Sequence, residues 1–165
     1  MLDVDEIIAI LRSTAARIDE LARDATPHEL EPAGYEDEWS ITAVVAHLRA
    51  CNDVLGGAMV RIIREDHPAW RATSPRTWQA KSGYHDWPFG PSFEAFTTGR
   101  DELLAVLEPL PPATWERTAA VTVPPAKVFE RSTRYYGDWL AQHERTHVKD
   151  LERRRAWRDA GDRTA

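Results

Sequence analysis

The sequence has 165 residues, 42% of them hydrophobic and 29% charged, which is enough for one compact domain spanning residues 1–165. Acidic residues outnumber Lys and Arg by 27 to 21, and the net charge of -6 offers no attraction for a nucleic-acid backbone. No apolar run is long enough for a membrane span, and the acidic start of the sequence does not resemble a signal peptide, so we expect a cytoplasmic protein. Cys51 is the only cysteine, so we expect no internal disulfide.

Two amphipathic helices are predicted in the first 64 residues. Apolar residues recur at spacings of three and four from Val4 to Ala22, and again from Ile41 to about Arg64. Ser40 stands directly before the second run, where its hydroxyl can cap the helix. The prolines and the glycine of residues 24–38 interrupt regular structure and predict a loop between the two helices.

Residues 65–91 show neither helical nor strand periodicity, but they are rich in aromatic side chains. A connection of this length inside a compact domain is usually functional or disordered, and disordered segments contain few aromatic residues. We therefore expect an ordered cover whose aromatic residues either seal the end of the fold or line a substrate pocket, and sealing is the favoured interpretation. The aromatic residues are Trp70, Trp78, Tyr84, Trp87 and Phe89.

A third helix is predicted to begin after a Ser92 cap and to end at Pro109. Arg100 interrupts its apolar stripe. The guanidinium could lie beside an anionic substrate such as a carboxylate, or it could extend to solvent at the edge of the fold.

The fourth helix is predicted to begin between Lys127 and Thr133, after an extended stretch over residues 121–125. It becomes polar and rich in arginine by Arg153. Four helices with no sustained strand pattern predict an all-α protein, a four-helix bundle.

His143, Glu144 and His147 form an HExxH pattern in the fourth helix. Two imidazoles four residues apart can bind one metal ion, and Glu144 could act on a bound water. Since Glu144 lies about 100° round the helix from His143, exposure to solvent is the alternative. Trp139 and Leu151 continue the histidine stripe at four-residue steps, so we expect the two imidazoles to face the core.

His47 supplies a third candidate ligand, because it shares a stripe with Val44 and Cys51 on the second helix. Taken alone, His47 would be expected to be a hydrogen-bonded histidine of the core. Together with the pair on the fourth helix it predicts a three-histidine site that leaves positions open for water or substrate. Cys51 is expected to serve packing, with a fourth-ligand or reactive-thiol role as the alternatives.

Other residues are weaker candidates. His85 could reach the open metal position from the aromatic cover, and Trp87 beside it could contact substrate. Asp53 and Asp150 could accept a hydrogen bond from a ligand imidazole, although surface exposure is the simpler expectation for both.

A zinc metalloprotease is a minor alternative, because the remainder of the pattern is missing. The extended metalloprotease motif needs glycine at position 150 and histidine at position 153, where the sequence has Asp150 and Arg153. The 18 residues after His147 leave little room for a glutamate ligand on a further helix, and no edge strand for a peptide is evident.

A tryptophan-serine helix start precedes one histidine, and a histidine pair follows in the last helix. The segments are, in order, Trp39-Ser40, Val44–Leu48, Arg100–Leu107, Trp115, His143 and His147. This order resembles the DinB/YfiT-like superfamily of metal-dependent enzymes over nearly the whole chain. The resemblance implies a four-helix bundle, often dimeric, in which the three histidines bind a divalent ion, commonly zinc or nickel. It also implies kinship with transferases and isomerases that use bacillithiol, mycothiol or glutathione.

We therefore expect a metal-dependent hydrolase or a thiol-dependent transferase or isomerase acting on a small molecule. A metal held by three neutral imidazoles keeps its full charge and can lower the pKa of water or of a thiol. Three histidines accept several first-row ions, so the metal is not determined by the ligands. The alternative is a non-enzymatic bundle that dimerises or senses a ligand and in which the metal is structural. Nucleic acid and membrane are not expected as partners, and a homodimer is possible.

Overall fold

The computed structural model describes residues 1–31 and 39–162. Residues 32–38, within the predicted loop, lie outside this range. The α-helices are, in chain order, α1 (Val4–Arg23), α2 (Ile41–Cys51), α3 (Gly57–Arg64), α4 (Pro75–Ser82), α5 (Phe89–Leu107), α6 (Pro112–Trp115) and α7 (Thr133–Asp162). The long elements α1, α2 with α3, α5 and α7 are the four helices that the periodicity predicts. In the described part of the chain, no helix is both long and apolar enough to cross a membrane.

The second helical segment starts where the sequence predicts. The hydroxyl of Ser40 accepts a hydrogen bond from the Ala43 amide at 3.0 Å and donates one to the carbonyl oxygen of Glu31 at 2.6 Å. This cap satisfies a free amide of the first helical turn and anchors the chain just before α2. It also places Trp39 at the beginning of the helix that carries His47.

A π-helical segment, Asn52–Gly56, joins α2 to α3, so the helical run continues to Arg64 as predicted. The Asn52 side chain donates to the Gly99 carbonyl at 3.2 Å and accepts a bond from Arg100 Nε at 3.2 Å. These two bonds tie the π segment to α5. Such a segment widens one helical turn and changes the direction of the side chains that follow it.

The cover over residues 65–91 is ordered, as expected, but the sequence pattern does not indicate its short regular elements. It contains β1 (Ala69–Arg71), α4 and a 3₁₀ turn, Tyr84–Asp86. The hydroxyl of Ser74 caps α4 by accepting a bond from the Thr77 amide at 3.1 Å. Each element is too short for its period to emerge from the sequence.

Three of the five aromatic residues of this cover attach it to α2 and to the π segment. The Arg49 guanidinium lies 3.8 Å from the ring centroid of Tyr84 and 4.5 Å from that of Trp87. One carboxylate oxygen of Asp53 accepts bonds from Trp78 Nε1 at 2.9 Å and from the Tyr84 hydroxyl at 2.8 Å. These contacts agree with the sealing interpretation.

A three-stranded sheet was not predicted. β2 (Thr118–Val123) pairs antiparallel with β3 (Lys127–Ser132) and parallel with β1. The sequence analysis recognised only an extended stretch here. The exposure of Lys127 to Glu130 on consecutive positions of β3 explains the miss, because a strand with little buried surface has no alternating pattern.

One of the two remaining helix starts differs from the prediction. The Ser92 cap was wrong: α5 begins at Phe89, and the buried Ser92 hydroxyl lies within its first turns, where it accepts a bond from Arg49 at 3.3 Å. The fourth helix begins at Thr133, the last residue of the predicted window, and continues for 30 residues. Its arginine-rich end binds the start of the chain, for example through Arg158 and Glu29 at 2.5 Å.

Candidate metal centre

Three histidine side chains from two helices converge. His47 lies on α2, and His143 and His147 lie one turn apart on α7. The Nε2 atom of His143 is 2.9 Å from Nε2 of His47 and 3.2 Å from Nε2 of His147. Nitrogen ligands on a tetrahedral zinc ion are roughly 3.3 Å apart, given the usual metal–nitrogen distances. Nε2 of His143 therefore lies at a distance from each of the other two rings that is compatible with a shared ion.

The chemistry of the donor atoms fits a cation at this point. A neutral imidazole nitrogen carries either a proton or a lone pair, so Nε2 of His143 can form only one good hydrogen bond with its two neighbours. A divalent ion would instead accept lone pairs from His47, His143 and His147 at once. The polar nitrogens of a half-buried cluster need such a partner, because leaving them unpaired costs free energy.

Gln79 on α4 orients the first of these imidazoles. Its side-chain oxygen lies 3.2 Å from Nδ1 of His47 and accepts a hydrogen bond from that nitrogen. The lone pair of His47 is thereby directed from Nε2 towards the other two rings, and such a bond is the usual support of a metal-binding histidine. Sequence reasoning missed Gln79, because α4 has no periodic pattern that would place it near the bundle.

Burial keeps the cluster neutral. Loss of solvation lowers the pKa of His47 and of His147 to about 4, and it lowers the pKa of His143 as well. The positive charge of Arg76 contributes to the lower pKa of His47 and of His143. At neutral pH the imidazoles are therefore in the form that binds metals.

Cys51 lies one turn from His47 on α2. Its Sγ atom is 3.5 Å from Nε2 of His47, and candidate ligand atoms of Cys51, His47 and His143 all lie within 4.8 Å of one another. The thiol is fully buried, and burial raises its pKa to about 12. The thiol is therefore close enough to coordinate the same ion, but burial opposes the loss of the proton that coordination requires.

Glu144 and Arg100 form an ion pair with each other, which was not predicted from the sequence. Both are buried, and each carboxylate oxygen of Glu144 accepts a bond from the Arg100 guanidinium, one of them at 2.8 Å. Arg100 also donates to the carbonyl oxygen of Leu11 at 3.1 Å. The solvent-exposed alternative was therefore wrong for both residues. With both oxygens engaged, Glu144 is not available to activate water, and Arg100 does not line the cavity beside the histidines.

The side of α7 that faces the core is shifted from the predicted side by about one residue, or about 100° of rotation. Leu140, Glu144 and Val148 are fully buried, whereas His143 and His147 are half-buried. The histidines thus face a cavity at the side of the core and not the core itself.

The cavity beside the histidines has a volume of about 460 Å³ and opens to solvent. Apolar side chains form much of its wall, and two arginines and one carboxylate add charge. The lining residues are Trp39, His47, Cys51, Leu55, Ser74, Pro75, Arg76, Trp139, His143, His147, Asp150 and Arg154.

The structure does not bring His85 or Trp87 to this cavity. His85 is exposed, with Nε2 3.3 Å from an Asp86 carboxylate oxygen. Trp87 packs against Arg49 in the cover. Neither side chain is among those that line the cavity, so the predicted contacts with substrate have no support in the geometry.

The two aspartates differ in position. Asp53 binds Trp78 and Tyr84 and holds the cover, away from the histidines. Asp150 lines the cavity and forms an ion pair of 2.7 Å with Arg153. Asp150 is the only carboxylate among the described lining residues.

A model of the DinB superfamily matches residues 10–151. The structure is similar to YfiT from Bacillus subtilis, described as a probable metal-dependent hydrolase with an unusual four-helix bundle topology, with a TM-score of 0.69 and 20% identity over 93% of this chain and 88% of that chain. It is also similar to the mycothiol-dependent maleylpyruvate isomerase, with a TM-score of 0.66 and 12% identity over 91% of this chain and 61% of that chain. A histidine-to-alanine variant of the isomerase matches equally well. Among curated protein sequences, none matches this chain.

Proposed function

This chain belongs to the DinB superfamily, and from that premise we propose that it is a divalent-metal-dependent enzyme that hydrolyses a small molecule. The observation that carries the proposal is the convergence of the Nε2 atoms of His47, His143 and His147 beside an open cavity. The likeness to a probable metal-dependent hydrolase, which this chain matches over most of its length, supports the same reaction class.

The three histidines would hold the ion, with zinc or nickel as the expected metals. A divalent ion there supplies Lewis acidity, which lowers the pKa of water or of a thiol and stabilises negative charge that develops on a substrate. Gln79 keeps His47 in the required tautomer through its bond to Nδ1.

Other residues of the cavity would accept a proton and contact the substrate. Asp150 is placed to accept a proton, because it is the carboxylate in the lining and its exposed pair with Arg153 engages one oxygen, whereas both oxygens of Glu144 are bound by Arg100. Trp39 and Trp139 provide apolar walls that restrict water around the substrate. The pairing of Glu144 also removes the base that an HExxH protease requires, which leaves that alternative without support.

Thiol-dependent transfer is the second candidate. A thiol with a lowered pKa loses its proton to solvent without a dedicated base, so this reaction would not require Asp150. The mycothiol-dependent isomerase shares this fold. However, the chain spans only 61% of the length of that isomerase, so a large part of the isomerase has no counterpart in the match.

Metal binding is the first test. We expect the wild-type protein, titrated with zinc or nickel after chelation, to bind close to one ion per chain, and His147→Ala to weaken binding by at least about 100-fold. His85→Ala is the matched control, because it removes an exposed imidazole outside the cavity. Equal metal affinity in both variants, or no uptake by the wild type, would contradict the proposal.

Turnover separates the enzyme from a structural module. The zinc- or nickel-loaded protein should hydrolyse at least one substrate of a panel of small esters, lactones and amides, and Asp150→Asn should lower kcat more than it raises KM. The same panel of electrophiles with added mycothiol, bacillithiol or glutathione tests the second candidate. Metal binding without turnover in either panel, with a lower Tm for His147→Ala, would favour a non-enzymatic bundle.

A further inference from the structure

The cavity beside the histidines carries positive charge, although the chain as a whole is acidic with a net charge of -6. Two arginines, Arg76 on α4 and Arg154 on α7, line it together with Asp150. Asp150 forms an exposed ion pair with Arg153, 2.7 Å away. Among the described lining residues, guanidinium groups therefore outnumber carboxylates by two to one.

Arg76 has no ion-pair partner within residues 1–31 and 39–160. Its guanidinium lies 5.8 Å from the ring centroid of Trp39, and that ring contacts both His47 and His147 at centroid distances of 5.0 and 5.5 Å. Arg76 therefore lies beside the same cavity as His47 and His143. A cation in this position repels the protonated cluster and attracts an anion bound beside it.

Arg154 adds a second positive charge beside Trp39. One guanidinium nitrogen donates to the Trp39 carbonyl oxygen at 2.7 Å, which holds the side chain at the cavity. No carboxylate of the described residues lies within ion-pair distance of this arginine, so its remaining donors are free for a ligand.

The walls between these charges are apolar and aromatic. Trp39 and Trp139 line the cavity together with Leu55 and Pro75. Flat apolar surfaces bind the body of an unsaturated or aromatic ligand, while an arginine binds a carboxylate through a planar pair of N–H donors.

On the basis of the proposed function, we infer that the substrate is a small carboxylate with a flat apolar body, and that Arg76 and Arg154 bind its carboxylate group beside Trp39. The sequence analysis considered such a role for Arg100, which is instead buried against Glu144. Arg76 thus determines specificity for a charged over a neutral substrate.

The inference is tested with benzoate and its neutral isostere benzamide as probes of the zinc-loaded protein, by calorimetry. We expect benzoate to bind at least about tenfold more tightly than benzamide, and Arg76→Gln to weaken benzoate about five- to tenfold without affecting benzamide. Lys81→Gln is the matched control, because it removes one positive charge from the same helix at an exposed position that does not line the cavity. Arg76→Lys should retain part of the preference for benzoate.

Equal effects of Arg76→Gln and Lys81→Gln on benzoate, or equal binding of benzoate and benzamide, would overturn the inference. Benzoate that binds only when zinc is present and is insensitive to Arg76→Gln would likewise overturn it, because the anion would then be bound by the metal alone. Zinc content, measured on every variant, keeps the two proposals apart. A wild type that takes up no zinc refutes the proposed function, while the benzoate comparison in the metal-free protein still tests the arginines.

Discussion

Neighbouring residues on α7 occupy opposite environments, and their comparison explains how the site is built. Glu144 points into the core, where both of its oxygens accept bonds from the buried Arg100. His143, one residue earlier, points to the cavity, where its Nε2 atom faces the Nε2 atoms of His47 and His147. The buried ion pair is complete within the protein, whereas the histidine cluster is not.

Within the HExxH motif, the glutamate therefore has a structural role, whereas the two histidines are available to a ligand. A buried charge pair whose donors and acceptors are all engaged has nothing left to offer a ligand. Nitrogen atoms that converge without enough protons to satisfy one another require something from outside. The HExxH pattern thus contains two metal-ligand candidates and one core residue, and its glutamate stabilises the arrangement of α5 and α7.

The largest expected effect comes from breaking the buried pair. Arg100→Met leaves the Glu144 carboxylate buried without its partner, so we expect the free energy of unfolding to fall by about 3–5 kcal/mol, measured by urea denaturation. Arg12→Met is the matched control, because Arg12 forms an exposed pair with Glu108 and should cost less than about 1 kcal/mol.

The double variant Arg100→Met with Glu144→Met sharpens the same point. Removing both charges leaves no unpaired group, so most of the lost stability should return, and zinc affinity should stay close to that of the wild type. A double variant that loses zinc binding while still folded would show that the ion pair belongs to the metal centre and not to the core alone.

The histidine cluster should make the free energy of unfolding of the metal-free protein depend on pH. In the metal-free folded protein the pKa of His47 and that of His147 are lowered to about 4, while in the unfolded chain both titrate near 6.5. The unfolded chain therefore binds more protons between these values, and the free energy of unfolding should fall as the pH drops from 7 to 5, by about 2 kcal/mol for each histidine. Urea denaturation with a chelator present measures this loss. His47→Gln should show a shallower dependence, and equal stability at both pH values would contradict the burial of neutral imidazoles.

Gln79 tests whether the cover serves the metal centre. Gln79→Leu removes the acceptor for Nδ1 of His47, so zinc affinity should fall about 10- to 100-fold while the fold is retained. Gln79→Glu keeps an acceptor at this position and should preserve binding. An affinity that does not change in Gln79→Leu would mean that packing alone orients the imidazole.

The smallest effect is expected at Cys51. In the metal-free protein, burial raises the pKa of its thiol to about 12 and so opposes coordination, and Cys51→Ala should change zinc affinity less than about threefold. The cobalt-substituted wild type should show no thiolate-to-cobalt charge-transfer band in the near ultraviolet. Such a band, lost in Cys51→Ala, would instead identify Cys51 as a fourth ligand.

Much of the bundle could be predicted from the sequence, because long helices repeat their pattern many times. The limits of the first two helical segments and the Ser40 cap follow from spacing and local hydrogen bonding. The elements that were missed, α4 and the three strands, are short or exposed. A short segment has too few positions to establish a period, and an exposed strand has no buried side to alternate with.

The sequence by itself determined that two imidazoles stand four residues apart on a helix and that a third lies on another amphipathic helix, because helical geometry is local. The tertiary structure decided which side of α7 enters the core, since both sides carry polar residues and a rotation of about 100° exchanges Glu144 for His143. The presence of Arg100 on α5 settles that choice by neutralising Glu144. Packing of the cover likewise brings Gln79 to His47 and Arg76 to the cavity, contacts between distant segments that no local pattern encodes.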